Sequence, residues 1–179
     1  MTERLRAAFF EEIYADDPDP WRFETSAYER AKYDATIAAL EGRRFANGLE
    51  IGCSIGVLTQ RLATRVDDLL AIDVAATALD RARARDLPNV AFELREVPEQ
   101  FPDGAYDLIV ISEVMYYLDC ACQIQIDACS AGMHNVQIMS EAAARTSTQQ
   151  FNRPDRPAHH KDWPALLRML ERRGVRYAE

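Results

Sequence analysis

The stretch that most limits the fold is Leu49-Glu50-Ile51-Gly52-Cys53-Ser54-Ile55-Gly56-Val57-Leu58-Thr59, followed by Asp73. A short apolar strand runs into a glycine turn, and a helix opens directly after it. A carboxylate then closes the next apolar run, Leu69-Leu70-Ala71-Ile72-Asp73. Strand, glycine turn, helix and a carboxylate about 20 residues further on form the layout of a nucleoside-cofactor cradle at the edge of a parallel sheet. A strand-turn-helix without any ligand is the plain structural alternative.

Gly52 and Gly56 let the backbone turn sharply and allow a ligand to touch it. The helix opening near Ile55 aims its unpaired N–H groups at the turn, which suits a carboxylate or phosphate. A dinucleotide is the first rival. It prefers G-x-G-x-x-G, whose second glycine admits the pyrophosphate and whose third packs helix on strand. Ser54 and Val57 occupy those two places, so a dinucleotide such as NAD is disfavoured. A cofactor without pyrophosphate, S-adenosylmethionine, tolerates both. Glu50 points the same way, because a carboxylate inside the first strand can order the methionine amino group.

The remainder of the chain supplies the alternation such a sheet needs. Residues 3–15 have helical spacing, with Leu5, Phe9, Ile13 and Tyr14 on one face. Asp16-Asp17-Pro18-Asp19-Pro20 breaks it, and Trp21 follows. Ser26 is placed to cap a helix over 27–41, with Tyr33, Ile37 and Leu40 on its buried side. Strands are expected at Gly48–Ile51, Leu69–Ile72, Val90–Leu94 and Tyr106–Ser112, the last with Leu108-Ile109-Val110-Ile111 apolar throughout, as a strand buried on both faces should be. Helices over about 56–65 and 75–86 separate them. The expected fold is α/β, a doubly wound, mostly parallel Rossmann-like sheet.

Length and charge narrow the partners. At 179 residues the chain is long enough for one domain with a substantial core. Its net charge of −8 argues against a nucleic-acid backbone and an anionic membrane surface as partners. No apolar run is long enough to span a bilayer, and no signal-peptide core follows Met1-Thr2-Glu3-Arg4-Leu5-Arg6. A cytoplasmic protein with reduced thiols is expected.

The charge is unevenly spread. Residues 120–179 carry eight Lys/Arg against six Asp/Glu, and hold Cys120, Cys122, Cys129 and all three histidines, His134, His159 and His160. The helix–strand pattern weakens there, with a poor helix over 121–131, a short strand over 136–139 and a helix over Trp163–Arg173. Cys120, Cys122, Cys129 and His134 lack the paired C-x2-C spacing of usual zinc sites, so no metal is expected. No Ser-His-Asp set, phosphate-binding loop or basic-aromatic stripe is present.

Asp19-Pro20-Trp21, Tyr28-Glu29, Lys32-Tyr33, the run Leu49–Thr59, Leu69–Asp73 and Ser112-Glu113-Val114-Met115-Tyr116-Tyr117-Leu118 resemble the nodulation protein S (NodS) family over about residues 8–119. These are class I S-adenosylmethionine-dependent methyltransferases. The resemblance implies N-methylation of an amine on a chitooligosaccharide or a small-molecule acceptor. It implies that Glu50, Gly52, Ser54 and Gly56 line the methionine end of the cofactor, that Asp73 takes the ribose and that Val74 packs on adenine. Glu96 would sit near the adenine amine. Ser112 and Glu113 would end strand 4 at the ligand edge, with Glu113 ordering the acceptor amine or taking its proton. Trp21, Tyr28 and Tyr33 would form an aromatic lid, while Lys32 reads as a solvated charge. The expected division is a helical lid over 1–45, a cofactor-binding core over 46–119 and an atypical tail over 120–179. The tail lacks the glycine-rich approach to strand 5 and the closing strand pair, as a shifted reading frame or a truncation would leave it. A cofactor-binding but inactive remnant is the alternative function.

Overall fold

The computed structural model describes residues 7–40, 42–97 and 99–111. Within them the order is α1 (Ala7–Asp16), α2 (Ala27–Ala39), β1 (Phe45–Ile51), α3 (Val57–Leu62), β2 (Val66–Asp73), α4 (Ala76–Arg83), β3 (Val90–Leu94) and β4 (Leu108–Ile111). The four strands form a sheet of order β3-β2-β1-β4, with every pair parallel. This is the α/β, parallel, Rossmann-like fold expected from the alternation.

The order carries a functional consequence. The chain steps outward from β1 to β2 to β3 and then returns to the other side of β1 for β4. Right-handed crossovers in one direction put α3 and α4 on the same face. The reversal between β1 and β4 opens a crevice at the carboxyl ends of those strands, where ligands bind in such sheets. The glycine turn begins there, immediately after Ile51.

The core explains why these segments pair. Leu108, Ile109, Val110 and Ile111 are each fully buried, as are Leu49, Leu62, Val66, Ala71 and Leu79. Tyr33 of α2 and Leu40 at its C-cap join Leu58 and Leu62 of α3 and Val66, Leu69, Leu108 and Val110 of the sheet in one cluster. The expected buried side of α2 is thus the one used. Ser26 caps that helix, its side chain accepting from Glu29 N at 3.3 Å.

Strands β1 and β2 begin three residues earlier than apolar character alone indicates. Asp107 accounts for part of the extension, its two oxygens accepting from Ala46 N at 2.8 Å and Asn47 N at 2.9 Å. A carboxylate 60 residues away thereby completes a polar strand end that no local pattern reveals.

The N-terminal helix is also set differently. Phe9 is 42% exposed, whereas Phe10 and Tyr14, four residues apart on one face, pack on Ile55, Ala75 and Ala78. The helix is anchored by Glu11, which accepts from Thr77 N at 3.2 Å at the start of α4 and also pairs with the Thr77 hydroxyl. That anchor rotates Phe10 inward and Phe9 outward. The readings for Leu5, the zinc-like cluster, His159, His160 and every element beyond β4 lie outside the described residues. Among the described residues no helix is long and apolar enough to cross a membrane, and no group of His, Cys, Asp and Glu is arranged to hold a metal ion.

Candidate cofactor site

The site is assembled where β1 meets its turn. Gly52 has φ +81°, Ser54 +51° and Gly56 +77°. For serine the left-handed conformation costs about 1–2 kcal/mol, so other contacts must hold it. Two do. Ser54 N donates to Asp73 Oδ2 at 2.8 Å, and the Ser54 hydroxyl is hydrogen-bonded to the hydroxyl of Tyr14, 40 residues earlier. Strain held by surrounding structure in this way is typical of binding turns.

Asp73 braces the turn from β2. Its Oδ1 accepts from Ala75 N at 3.0 Å while Oδ2 holds Ser54 N. Burial raises its pKa, and the N–H groups of Ala75, Ser54 and Val74 oppose that rise. Each carboxylate oxygen has two acceptor positions, so a ribose hydroxyl pair can be accommodated beside the backbone donors. Val74 is half-buried next to it.

Glu50 has a different environment. It lies inside β1, 1% exposed, and its Oε2 has no hydrogen-bond partner among the described residues. Burial pushes its carboxyl up to about 7, the nearby Thr59 hydroxyl works against the rise, and the Asp73 charge adds to it. Thr59 Oγ1 is buried and also lacks a hydrogen-bond partner among the described residues, so its influence is that of a neighbouring dipole. A buried, unpartnered carboxylate oxygen at a ligand edge is costly unless something binds it.

Glu50 and the turn after it open into a small cleft. Its floor is Glu50, Gly52, Cys53 and Ser54, and its walls include Phe23 and Tyr33 from the N-terminal segment. The Cys53 thiol is buried and its pKa rises for that reason, leaving it a small apolar filler.

Lys32 also lines this cleft. Its side chain is 11% exposed and its Nζ lies 2.5 Å from Glu29 Oε2, so the solvated charge expected from sequence is instead a buried ion pair. Its place on the Tyr33 side of α2 turns it inward.

The other expected site residues are distributed around this centre. Gly56 serves packing as well as the turn, because a Cβ there would stand 3.0 Å from Ala82 Cβ. Trp21 stands edge-on to Tyr14 with centroids 5.3 Å apart and stacks on Phe23 at 5.8 Å. It backs the cleft wall and does not line the cleft itself. Asp19 holds that segment in place, accepting from Phe23 N at 2.8 Å and Glu24 N at 3.1 Å. Tyr28 is 40% exposed at the start of α2, with Lys32 Nζ 5.9 Å from its ring centroid. Glu96 is half-buried beyond β3 and its N donates to Gln100 Oε1 at 2.8 Å. Ser112 and Glu113 lie outside the described residues.

The family model for nodulation protein S (NodS) matches residues 8–136. The chain belongs to the nodulation protein S family. The match runs 17 residues past Asp119, so likeness to the family continues into the segment read as atypical. The chain is 36% identical over 110 residues to Nodulation protein S of Rhizobium tropici, covering 60% of this chain and 45% of that one. It is 35% identical over 122 residues to the Bradyrhizobium diazoefficiens protein of the same name, covering 66% and 57%. The chain therefore spans about half the length of the curated relatives it matches. Among solved structures, the N-methyltransferase NodS of Bradyrhizobium japonicum WM9 in complex with S-adenosyl-L-homocysteine superposes with a TM-score of 0.61 at 30% identity, covering 73% of this chain and 68% of that one. The choice of an S-adenosylmethionine-type cofactor over a dinucleotide agrees with that complex.

Proposed function

We propose that this chain is the cofactor-binding part of an S-adenosylmethionine-dependent N-methyltransferase whose acceptor is an amine on a chitooligosaccharide-like or small molecule. The supporting observation is the pair of acids at the turn. Asp73 is braced by backbone donors and has acceptor capacity for a ribose, and Glu50 holds an unpartnered oxygen in the cleft for an ammonium. Residues of this character fit a cofactor with a nucleoside at one end and an amino acid at the other.

S-adenosylmethionine bound there supplies a methyl group already activated on a sulfonium. The chain's residues then bind and orient. Asp73 fixes the ribose end, with Val74 and Glu96 flanking the base. Glu50, Gly52 and Ser54 hold the methionine end, and Gly56 keeps the turn tight against α4. Phe23 and Tyr33 wall the cleft from water, with Trp21 behind Phe23 and Tyr28 at the rim. Ser112 and Glu113 directly follow β4 in sequence, and we assign Glu113 to accept the acceptor amine's proton. Alignment of an amine with an activated methyl can lower the barrier by about 7–11 kcal/mol, and a base keeps that amine unprotonated.

The test is calorimetric titration of the chain with S-adenosyl-L-homocysteine beside Asp73→Ala. Micromolar binding that disappears in the variant is expected. A folded wild-type chain that does not bind would overturn the cofactor assignment.

A further inference from the structure

Arg85 has no part in the function proposed above, yet it reaches three separate pieces of the molecule. It directly follows Ala84, the C-cap of α4. Its Nε donates to the Ile55 carbonyl at 2.6 Å, its Nη1 to Gln60 Oε1 of α3 at 3.1 Å and its Nη2 to Glu24 Oε1 of the N-terminal segment at 2.7 Å. A guanidinium carries five donors in one rigid plane, and here each of its three nitrogens holds a different acceptor.

The bond to Ile55 bears on the site. Ile55 is fully buried, so its carbonyl needs a donor from within the protein. It stands between Ser54 and Gly56, both in the left-handed conformation. A Cβ on Gly56 would also meet Arg85 Cδ at 3.2 Å, so the arginine stem lies against the same peptide that its head holds. Asp73 and Tyr14 restrain the turn at Ser54. Arg85 restrains it one residue later, from the end of α4.

The bond to Glu24 has another use. The Glu24 side chain is 45% exposed against 18% for Arg85, so this ion pair contributes little to stability by itself. It does fix the direction of the guanidinium. Glu24 follows Phe23, which walls the cleft, and its own N–H is held by Asp19 Oδ2 at 3.1 Å. The segment that supplies the cleft wall and the turn that supplies its floor are thus tied to one side chain.

We propose that Arg85 is a positioning residue for the glycine turn, holding the Ile55–Gly56 peptide so that Gly52 and Ser54 receive the methionine end of the cofactor, and that Glu24 sets the orientation of Arg85. This rests on the S-adenosylmethionine reading above for the identity of the ligand. Arg85 does not line the cleft, so it acts through the turn.

The experiment measures binding of S-adenosyl-L-homocysteine and of 5′-methylthioadenosine, which lacks the amino-acid end. The chains are wild type, Arg85→Met, Glu24→Gln and the double variant, each at a temperature where circular dichroism shows it folded. Arg85→Met should weaken S-adenosyl-L-homocysteine about tenfold and 5′-methylthioadenosine by less than about threefold. Glu24→Gln should weaken S-adenosyl-L-homocysteine about threefold alone and not further when added to Arg85→Met. Equal weakening of both ligands by Arg85→Met, or of neither, overturns the proposal, because general loosening of the fold does not distinguish the two ends of the cofactor. Independent effects of the two substitutions overturn the part assigned to Glu24. If Arg85→Met does not fold, Arg85→Lys and Glu24→Gln decide the question. Lysine keeps the charge, but its single nitrogen does not span three acceptors, so the same selective loss is expected; wild-type affinity in either variant overturns the proposal. A folded wild-type chain that binds neither ligand would instead overturn the cofactor assignment beneath it.

Discussion

Asp73 and Glu50 sit one strand apart at the same sheet edge, and the protein treats them in opposite ways. Asp73 has a backbone donor on each oxygen and is half-buried. Glu50 is almost wholly buried, with one oxygen unpartnered among the described residues. The first acid contributes to the turn's own structure before any ligand arrives. The second destabilises the folded chain when ionised, and among the described residues nothing partners its Oε2. On the function proposed above, the ribose side of the cradle is built in and the amino-acid side is left for the ligand to complete.

Removing the braced acid should have the largest effect. Asp73→Ala takes the acceptor from Ser54 N and Ala75 N and should cost about 3–4 kcal/mol of stability, seen in a denaturant melt, together with loss of cofactor binding. The unpartnered acid should respond to pH with a definite sign. Its folded pKa of about 7 lies above the ordinary 4.5, so its neutral form stabilises the fold fully below about pH 4.5, and that stability is lost as pH rises through 7. Glu50→Gln does not titrate. It should match wild type near pH 4.5 and exceed it by roughly 3 kcal/mol at pH 8, measured by thermal melts across that range. A variant that loses stability equally at both pH values would erase the distinction between the two acids.

Smaller changes probe the turn between them. Gly56→Ala forces a Cβ onto a φ of +77° and against Ala82, and should cost about 2 kcal/mol. Tyr14→Phe removes only the hydroxyl contact to Ser54 and should cost about 1 kcal/mol. Its stability loss should be accompanied by severalfold weaker binding of S-adenosyl-L-homocysteine, because Ser54 loses one of the two contacts holding its strained conformation. Unchanged affinity would show that Asp73 alone sets the turn.

The sequence made one part of this contrast visible. Strand, glycine turn and Asp73 follow from local pattern because apolar runs, missing Cβ atoms and spacing are local properties. Glu50 is identifiable by type, and the lack of a partner for its Oε2 among the described residues emerges only when β1 lies between β2 and β4. The contacts that shape the site are long-range. Tyr14 reaches Ser54 across 40 residues and Glu11 reaches Thr77 across 66, so the sequence shows Tyr14 only as part of an apolar helix face and gives no sign of either contact. The sequence suggests a solvated charge at Lys32, as is usual on an amphipathic helix, while in the fold it stands beside Tyr33 on the cleft side. The adjacent Lys32-Tyr33 pair, with Glu29 three residues earlier, was the available signal.

The most direct test counts protons. S-adenosyl-L-homocysteine is titrated into the wild-type chain near pH 6.5 in two buffers of different ionisation enthalpy, with Glu50→Gln alongside. An ammonium seated against Glu50 ionises that carboxyl, so binding should release about half a proton or more, and the variant should release none. Tight binding with no proton released by the wild-type chain would mean that the ligand does not complete Glu50, and the contrast between the two acids would not describe how this cradle works.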